Sequence, residues 1–243
     1  ILKENPDVIV STGSEISIPS FYLAIILRKK TIFIESLTRI SELSGTGRIV
    51  YPVSNLFLVQ WKDLAEKYKK SIYQGNIINS SEKSSDQING DYIFVTVGTA
   101  SFKRLVSLID DISKHINEKV IIQIGRTDYK PKNADYFKFT KDLQEFIELI
   151  KNAKLVISHA GIGNIINVLE NNKPLIILPR RAEYNEIFDD HQLEMAKALE
   201  NYSLINVAYK EDEILNILKK INFNLTVENN NSSDSEKNEH NLL

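Results

Sequence analysis

Apolar runs of strand length alternate with amphipathic stretches of helical length along most of this 243-residue chain. In its second half, apolar runs at residues 92–97, 120–124, 155–158 and 175–178 are separated by stretches with helical periodicity. This alternation is typical of a parallel sheet with crossover helices. It predicts an α/β fold.

The alternation is interrupted at residues 76–90, which are rich in Ser, Asn, Asp, Lys and Glu and have little apolar content. Such a composition is typical of a linker between domains. We therefore expect one domain over residues 1–75 and a second over residues 91–222. The composition turns polar again after that, which predicts a disordered tail over residues 223–243.

The first domain is expected to be incomplete. It contains only three strand-like runs, at residues 7–13, 31–35 and 55–60, which would make a half-sheet. The chain also opens at Ile1, without a methionine and almost directly on a strand. We therefore expect a preceding segment to supply the rest of this domain.

The composition disfavours several classes of function. A formal net charge of −2 and an isoelectric point near 6.2 offer no basic surface for nucleic acid. Without cysteine, the chain has no disulfide, thiolate metal site or cysteine nucleophile, which fits a reducing, cytoplasmic setting. The longest apolar run, over residues 21–27, is far shorter than the ~20 residues that span a bilayer.

Four segments of the second domain carry glycine or polar residues directly after a predicted strand. Ligands of open α/β sheets bind at this edge. Amides and hydroxyls after the first strand, and an arginine after the second, suit a phosphate group. A capped tight turn and an ordinary surface arginine are the structural alternatives. The candidate residues of these two segments are Gly98, Thr99, Ser101, Gln123 and Arg126.

The third segment, residues 158–164, is the most informative of the four. His159 ends a strand, and Gly161 and Gly163 open the next helix, so that a ligand can closely approach the free amides and the positive end of the helix dipole. Asn164 follows as a further polar candidate. A hydrogen-bonded structural histidine is the alternative for His159, but the glycines favour a binding site.

The fourth segment ends in Asp190, His191 and Gln192. We expect Asp190 to cap the next helix, and the other two to lie in its first turn and to face the same crevice as His159. Asp189 and Asp190 with His191 are an alternative divalent metal site. Adjacent residues on a helix point in different directions, which disfavours that alternative, so no metal is expected.

Short motifs along the chain resemble those of glycosyltransferase family 28. The second domain resembles the C-terminal, donor-binding domain of that family, most closely in its split, two-subunit members, which serve dolichol-linked oligosaccharide, capsule and exopolysaccharide synthesis. The first domain resembles the back half of their partner subunit, which recruits the catalytic subunit to the membrane. The motifs of the second domain are Phe94-Val95-Thr96-Val97-Gly98-Thr99, Gln123-Ile124-Gly125, Ser158-His159-Ala160-Gly161-Ile162-Gly163, Lys173-Pro174-Leu175-Ile176 and Asp190-His191-Gln192-Leu193. Those of the first domain are Asp7-Val8-Ile9-Val10-Ser11-Thr12-Gly13, Phe33-Ile34-Glu35-Ser36, Arg39, Leu43-Ser44-Gly45-Thr46-Gly47, Tyr51-Pro52 and Val59-Gln60-Trp61.

This resemblance implies a GT-B-like fold of two Rossmann-like domains, the first incomplete at its N-terminus. It implies an inverting transferase that moves a sugar from a UDP-sugar to a polyprenyl- or dolichyl-pyrophosphate-linked sugar. N-acetylglucosamine is the expected sugar. Neither a metal nor a cofactor is expected, and nucleic acid is not an expected partner. The protein would work at the cytosolic face of a membrane through peripheral contact, for which the basic residues 28–30 beside an apolar helix are candidates.

The resemblance also assigns roles to residues. Asn167 stands where the family usually has an acidic residue that holds the ribose hydroxyls, and Glu170, one turn later, is the alternative for that role. The general base is expected in a glycine-glycine-histidine loop ahead of residue 1, with Glu15 as an alternative. Three other functions are open: a capsule or exopolysaccharide galactosyl-, glucosyl- or glucuronosyltransferase, a UDP-sugar epimerase, and a non-catalytic enhancer that retains a nucleotide site. The implied donor-binding residues are Gly98, Thr99, Ser101, Gln123, Arg126, His159, Gly161, Gly163, Asn164, Asn167, Asp190, His191 and Gln192.

Overall fold

The structure is a computed structural model that describes residues 1–78 and 90–221. It contains two sheets, and every described strand pair in them is parallel. The α/β class predicted from the alternation is therefore confirmed. The predicted tail and most of the predicted linker lie outside the described residues.

The first sheet has four strands in the order β1-β2-β3-β4. The strands are β1 (Val8–Ser11), β2 (Lys30–Ile34), β3 (Leu56–Val59) and β4 (Ser71–Tyr73). The helices are α1 (Ser17–Ile26), α2 (Gly45–Val50) and α3 (Lys62–Lys67), and a short 3₁₀ turn covers Tyr51–Val53. Phe33 and Phe57 stack at 5.0 Å between ring centres in the core beneath this sheet, and Phe21 of α1 meets Phe33 edge-on.

Two elements of this half, α2 and β4, were not predicted from the sequence. The two glycines at the start of α2 give it low intrinsic helix propensity. It forms because Ser44 caps it, accepting a hydrogen bond from the Gly47 amide at 2.9 Å, while the buried carboxylate of Glu35 accepts from the Ser44 amide. β4 is only three residues long, and two of them are exposed, so it leaves no alternating pattern.

The second sheet has six strands in the order β10-β9-β8-β5-β6-β7. The strands are β5 (Tyr92–Thr96), β6 (Val120–Gln123), β7 (Asp135–Phe137), β8 (Ala153–Ser158), β9 (Leu175–Ile177) and β10 (Ile205–Val207). The helices are α4 (Lys103–Ser113), α5 (Leu143–Lys151), α6 (Ile162–Glu170), α7 (His191–Ala198) and α8 (Glu211–Lys220), and a 3₁₀ turn covers Ala182–Tyr184. β10, a three-residue edge strand, was not predicted.

Residues from the first half of the chain join the core of the second sheet. Leu37, 6% exposed, and Ile78, 5% exposed, belong to the apolar cluster on one face of that sheet. Asn76 donates a hydrogen bond to the Tyr202 hydroxyl at 3.1 Å. The first residues of the predicted linker therefore pack against the second sheet instead of forming an exposed spacer.

The strand order places a crevice beside β5. The chain leaves β5 towards β6 and β7 on one side, and leaves β8 towards β9 and β10 on the other. Because these connections diverge, an open space remains outside the carboxyl ends of β5 and β8. Within the described part of the chain, no helix has the length and apolar character needed to cross a bilayer.

Candidate functional site

His159 lies beneath the turns that follow β5 and β8, behind the crevice. A Cβ atom on Gly98 would lie 3.0 Å from His159 Cε1, and one on Gly161 would lie 2.2 Å from His159 Nε2. Gly98 also has a φ of +66°, a left-handed conformation that suits glycine. Both glycines are therefore required for the turns to close over the imidazole ring.

The imidazole of His159 is only 8% exposed. Burial, helped by the positive charge of Arg180, lowers its pKa to about 3, although a contact with the backbone at Thr96 opposes this. His159 is therefore neutral at physiological pH. It can hydrogen-bond in the site but cannot supply a charge to an anionic ligand.

A network of hydrogen bonds ties the two strand ends together. The Thr96 hydroxyl donates to Gln123 Oε1 at 2.6 Å and accepts from the Gly98 amide at 3.1 Å. The Asn164 side-chain amide donates to Ser158 Oγ at 3.1 Å. The same amide reaches the Thr96 hydroxyl at 3.4 Å, so the start of α6 is fixed relative to both β5 and β8.

A cavity of about 380 Å³, here called the sheet-edge cavity, lies on one side of the start of α6. It brings together six of the predicted donor-binding residues: Gly98, Thr99, Gln123, Gly163, Asn164 and Asn167. A Cβ atom on Gly163 would meet nothing within 4 Å, so the helix start is open to the cavity.

Sequence reasoning missed the other wall of the sheet-edge cavity, which consists of Thr140, Asp142, Leu143 and Phe146. Asp142 caps α5, accepting from the Glu145 amide at 2.9 Å. These residues follow β7, so the rule that ligands bind after strand ends could have found them. The short, exposed β7 gave too weak a pattern for its end to be used in that way.

A second cavity, of about 220 Å³ and here called the interdomain cavity, lies on the other side of the start of α6. Its lining is Thr38, Ala160, Gly161, Ile162, Ile187, Asp189, His191, Gln192 and Met195. Gly161 is the N-cap of α6, and no side chain caps this helix. Its first amides therefore lack a side-chain partner and are available to a ligand.

Besides Asp190, which is described below, four predicted site residues lie apart from these cavities. Ser101 lines a separate cavity of about 570 Å³ together with Arg104 and Tyr184. Arg126 is exposed and lines none of the three cavities, and neither does Glu15, which is exposed in the turn after β1. His159, the fourth, is buried between the turns.

The predicted cap by Asp190 is wrong. Asp190 is the N-cap residue of α7, but its side chain makes no bond to the amides of that helix. The carboxylate instead accepts from the Ala182 amide at 3.2 Å, which holds the preceding loop. His191, next along the chain, is the first residue of α7 and reaches the interdomain cavity.

A buried cation, Arg180, lies behind the site; it belongs to the fourth segment of the sequence analysis, where no role was predicted for it. Arg180 donates through Nη2 to the Val97 carbonyl at 2.7 Å, and its amide donates to Gln192 Oε1 at 3.0 Å. Burial lowers its pKa to about 10, so it remains charged near neutral pH. Gln192, predicted as a ligand residue, is therefore also a structural link between Arg180 and α7.

The predicted alternative of a divalent metal site gains no geometric support. Among residues 1–78 and 90–221, no three histidine or acidic side chains come together in a way that could hold an ion. The acidic groups that do line the two cavities are separated, with Asp142 in one and Asp189 in the other.

Comparison with known proteins divides the chain at the same place as the sheets. The profile of the glycosyltransferase family 28 C-terminal domain matches residues 92–243, and that of the oligosaccharide biosynthesis protein Alg14-like family matches residues 1–77. The human UDP-N-acetylglucosamine transferase subunit ALG13 is 36% identical over 117 residues, 44% of this chain and 10% of that protein. The subunit ALG14 of Debaryomyces hansenii is 36% identical over 83 residues, 32% of this chain and 36% of that protein. The chain thus spans between a tenth and two fifths of the length of such relatives.

Solved structures of glycosyltransferases share the fold. Acinetobacter baumannii MurG aligns with a TM-score of 0.61 and 14% identity, over 90% of this chain and 66% of that one. The glycotransferase of kitacinnamycin aligns with a TM-score of 0.60 and 13% identity, over 90% and 69%. The predicted GT-B fold is confirmed by these alignments. Since the family 28 profile covers well over half of the sequence, the chain belongs to glycosyltransferase family 28.

Proposed function

We propose that this protein binds a UDP-sugar and transfers the sugar with inversion to a lipid-pyrophosphate-linked sugar. N-acetylglucosamine is the proposed sugar, because relatives of both halves are named UDP-N-acetylglucosamine transferase subunits. One observation carries the proposal: two cavities flank the uncapped N-terminus of α6.

This arrangement matches the three parts of a UDP-sugar. The sheet-edge cavity offers the apolar side chains of Leu143 and Phe146 to a base and the Asn167 amide to ribose hydroxyls. The uncapped amides of α6 suit the diphosphate. The interdomain cavity, with His191 and Gln192, would then receive the sugar.

In the proposed reaction, an acceptor hydroxyl attacks the anomeric carbon while the bond from that carbon to the diphosphate oxygen breaks. Negative charge grows on the leaving UDP, and the N-terminus of α6 stabilises it without needing to reorganise. The neutral imidazole of His159 supplies no charge. The buried guanidinium of Arg180 supplies a positive charge from behind the turn that follows β5. The proton of the acceptor passes to a general base, for which exposed Glu15 is the candidate among the described residues.

The alternative of an epimerase receives less support. Such an enzyme needs paired acid and base groups at one sugar carbon. Among the described residues, each of the two cavities has a single carboxylate in its lining, Asp142 in one and Asp189 in the other.

The donor site is tested by calorimetric titration of the chain with UDP. We expect Asn167→Ala to weaken UDP binding about tenfold, a typical loss for a hydrogen bond to a ligand. Glu170→Ala, on the same helix but exposed, is the matched control and should leave binding unchanged. Weaker binding in Glu170→Ala with normal binding in Asn167→Ala would assign the ribose to Glu170, and a wild-type chain that binds no UDP would overturn the site.

The transfer itself is tested with the protein, a panel of UDP-sugars and a polyprenyl-pyrophosphate-linked sugar. Elongation from UDP-N-acetylglucosamine supports the proposal. Elongation only from a glucose, galactose or glucuronate donor reassigns the protein to capsule or exopolysaccharide synthesis. UDP binding with no elongation from any donor favours the non-catalytic enhancer.

A lipid-linked acceptor requires the protein to contact a membrane. We propose that α1 makes this contact, at the cytosolic face of the membrane. The helix carries no charged residue, and its outward side chains include Tyr22, 44% exposed, and Ile26, 78% exposed. Exposed Arg28 and Lys30 follow directly and suit anionic headgroups. An apolar outer face beside basic residues is typical of an interfacial helix.

A further inference from the structure

One side chain of the first domain contacts the wall of the interdomain cavity. Arg39 Nη1 lies 2.6 Å from His191 Nε2, at the start of α7. Arg39 forms no ion pair with a carboxylate among the described residues, so this imidazole is its main polar partner.

The loop that carries Arg39 is firmly held at both ends. The Glu35 carboxylate accepts from the Ser36 amide at 2.8 Å and from the Ser44 amide at 2.9 Å. Between them, Leu37 is buried in the core of the second domain, and its carbonyl accepts from Trp61 Nε1 at 2.7 Å. The position of Arg39 is thus set by the packing of the two domains.

The contact determines which nitrogen of His191 carries the proton. A guanidinium can only donate, so Nε2 must offer its lone pair to Arg39. The imidazole is then neutral, with its proton on Nδ1. The Asp189 carboxylate, 3.2 Å from the same Nε2, cannot receive a hydrogen bond from it and instead accepts from the His191 amide at 3.3 Å.

The proton on Nδ1 is left without a partner. No hydrogen bond joins His191 Nδ1 to any of the described residues, while His191 itself lines the interdomain cavity. An Nδ1–H group at a cavity suits an oxygen acceptor of a ligand, such as a diphosphate or sugar oxygen.

We propose that Arg39 is a positioning residue for the donor: it fixes His191 in the Nδ1–H form and so makes the first domain part of the donor site. This inference rests on the proposed function for its ligand, a UDP-sugar. It follows that the second domain, which carries all of the predicted donor-binding residues, binds its donor fully only when the first domain is docked.

The test is a double-mutant cycle on the binding of UDP-N-acetylglucosamine, measured by calorimetry with Arg39→Ala, His191→Ala and the double variant. Each single variant is expected to weaken binding about tenfold, and the double variant no more than His191→Ala alone. Losses that multiply, or an Arg39→Ala variant that binds normally, would overturn the proposal. Arg48→Ala, an exposed arginine of the same domain that pairs with Glu42, is the control and should bind normally.

A second measurement does not depend on the donor. The chain has four histidines, so a long-range ¹⁵N–¹H spectrum of the ligand-free protein resolves their tautomers, and His191→Ala assigns the relevant signal. The proposal requires His191 in the Nδ1–H form in the wild type and a change of tautomer population in Arg39→Ala. An Nε2–H form in the wild type contradicts it, whether or not the protein binds a UDP-sugar.

Discussion

Both sheets of this chain are parallel, but they are buried to different degrees. In the second sheet, β5 and β8 are buried on both faces. In the first, Phe33 and Phe57 lie under one face, while Val10 and Ile72 on the other are exposed. Parallel sheets are normally covered on both faces. The second domain therefore has a core of its own, whereas the described part of the first is stabilised from one side and by its contact with the second.

The largest expected effect tests this difference directly. Phe94 is fully buried in β5. Phe94→Ala should lower the free energy of unfolding by about 3–5 kcal/mol, because it leaves a cavity in a core that is covered on both sides. Ile72→Ala, on the uncovered face of the first sheet, should cost about 1 kcal/mol or less. Urea unfolding measures both. Similar costs would mean that the first sheet is covered after all.

The next effect concerns the two glycines of α6. Gly161→Ala should destabilise the protein by about 1–3 kcal/mol and displace His159, because the new Cβ atom would overlap the imidazole. Gly163→Ala is the matched control, since its Cβ atom would enter open space and alanine favours a helix. In thermal unfolding, the midpoint temperature should fall for Gly161→Ala and rise for Gly163→Ala. A Gly161→Ala protein as stable as the wild type would show that the ring is not packed against the turn.

Acid pH should weaken the second domain through His159. Its pKa is lowered to about 3, against about 6.5 in an unfolded chain, so between these values only the unfolded state binds the proton. Stability therefore falls as the pH decreases below 6.5, by about 2 kcal/mol at pH 5 from this one group. His159→Gln removes that contribution. Urea titrations at pH 7 and pH 5 should show a smaller loss for the variant than for the wild type, and an equal loss would refute a neutral, buried His159.

The smallest effect concerns the outer surface of the first domain. Ile26→Ser should reduce binding to anionic vesicles about tenfold, since an inserted isoleucine contributes roughly 1–2 kcal/mol, and should leave stability unchanged. Phe188→Ser, a fully exposed aromatic of the second domain, is the control and should have no effect. Cosedimentation measures the bound fraction. Equal losses in both variants would indicate nonspecific adsorption, and no loss in either would remove α1 as the contact surface.

The sequence predicted the second sheet more fully than the first for a physical reason. The strands around Phe94 and Val156 are continuous apolar runs because both of their faces are buried, and the glycines after them mark the turns. Most of the predicted residues that line the sheet-edge cavity lie in or beside those turns. In the first half, α2 depends on a carboxylate ten residues earlier in the chain, and no local pattern contains that dependence.

The interdomain contacts were beyond sequence reasoning for a similar reason. Arg39 and His191 are 152 positions apart, and their contact depends on how the two domains pack, with Leu37 inserted into the second core. Both residues were noted in the sequence as parts of separate motifs. Nothing in the spacing of either motif indicated that they would meet.

The position of α6 between two cavities bears on how such a protein can change its donor during evolution. The helix start is fixed by Asn164 and closed over His159, so substitutions there affect everything the site holds. Asn167 and Gln192 lie on opposite sides of it, each lining a different cavity. Under the proposed function, selectivity for the nucleotide and for the sugar would therefore diverge independently, while the proposed phosphate site at the start of α6 stays constant.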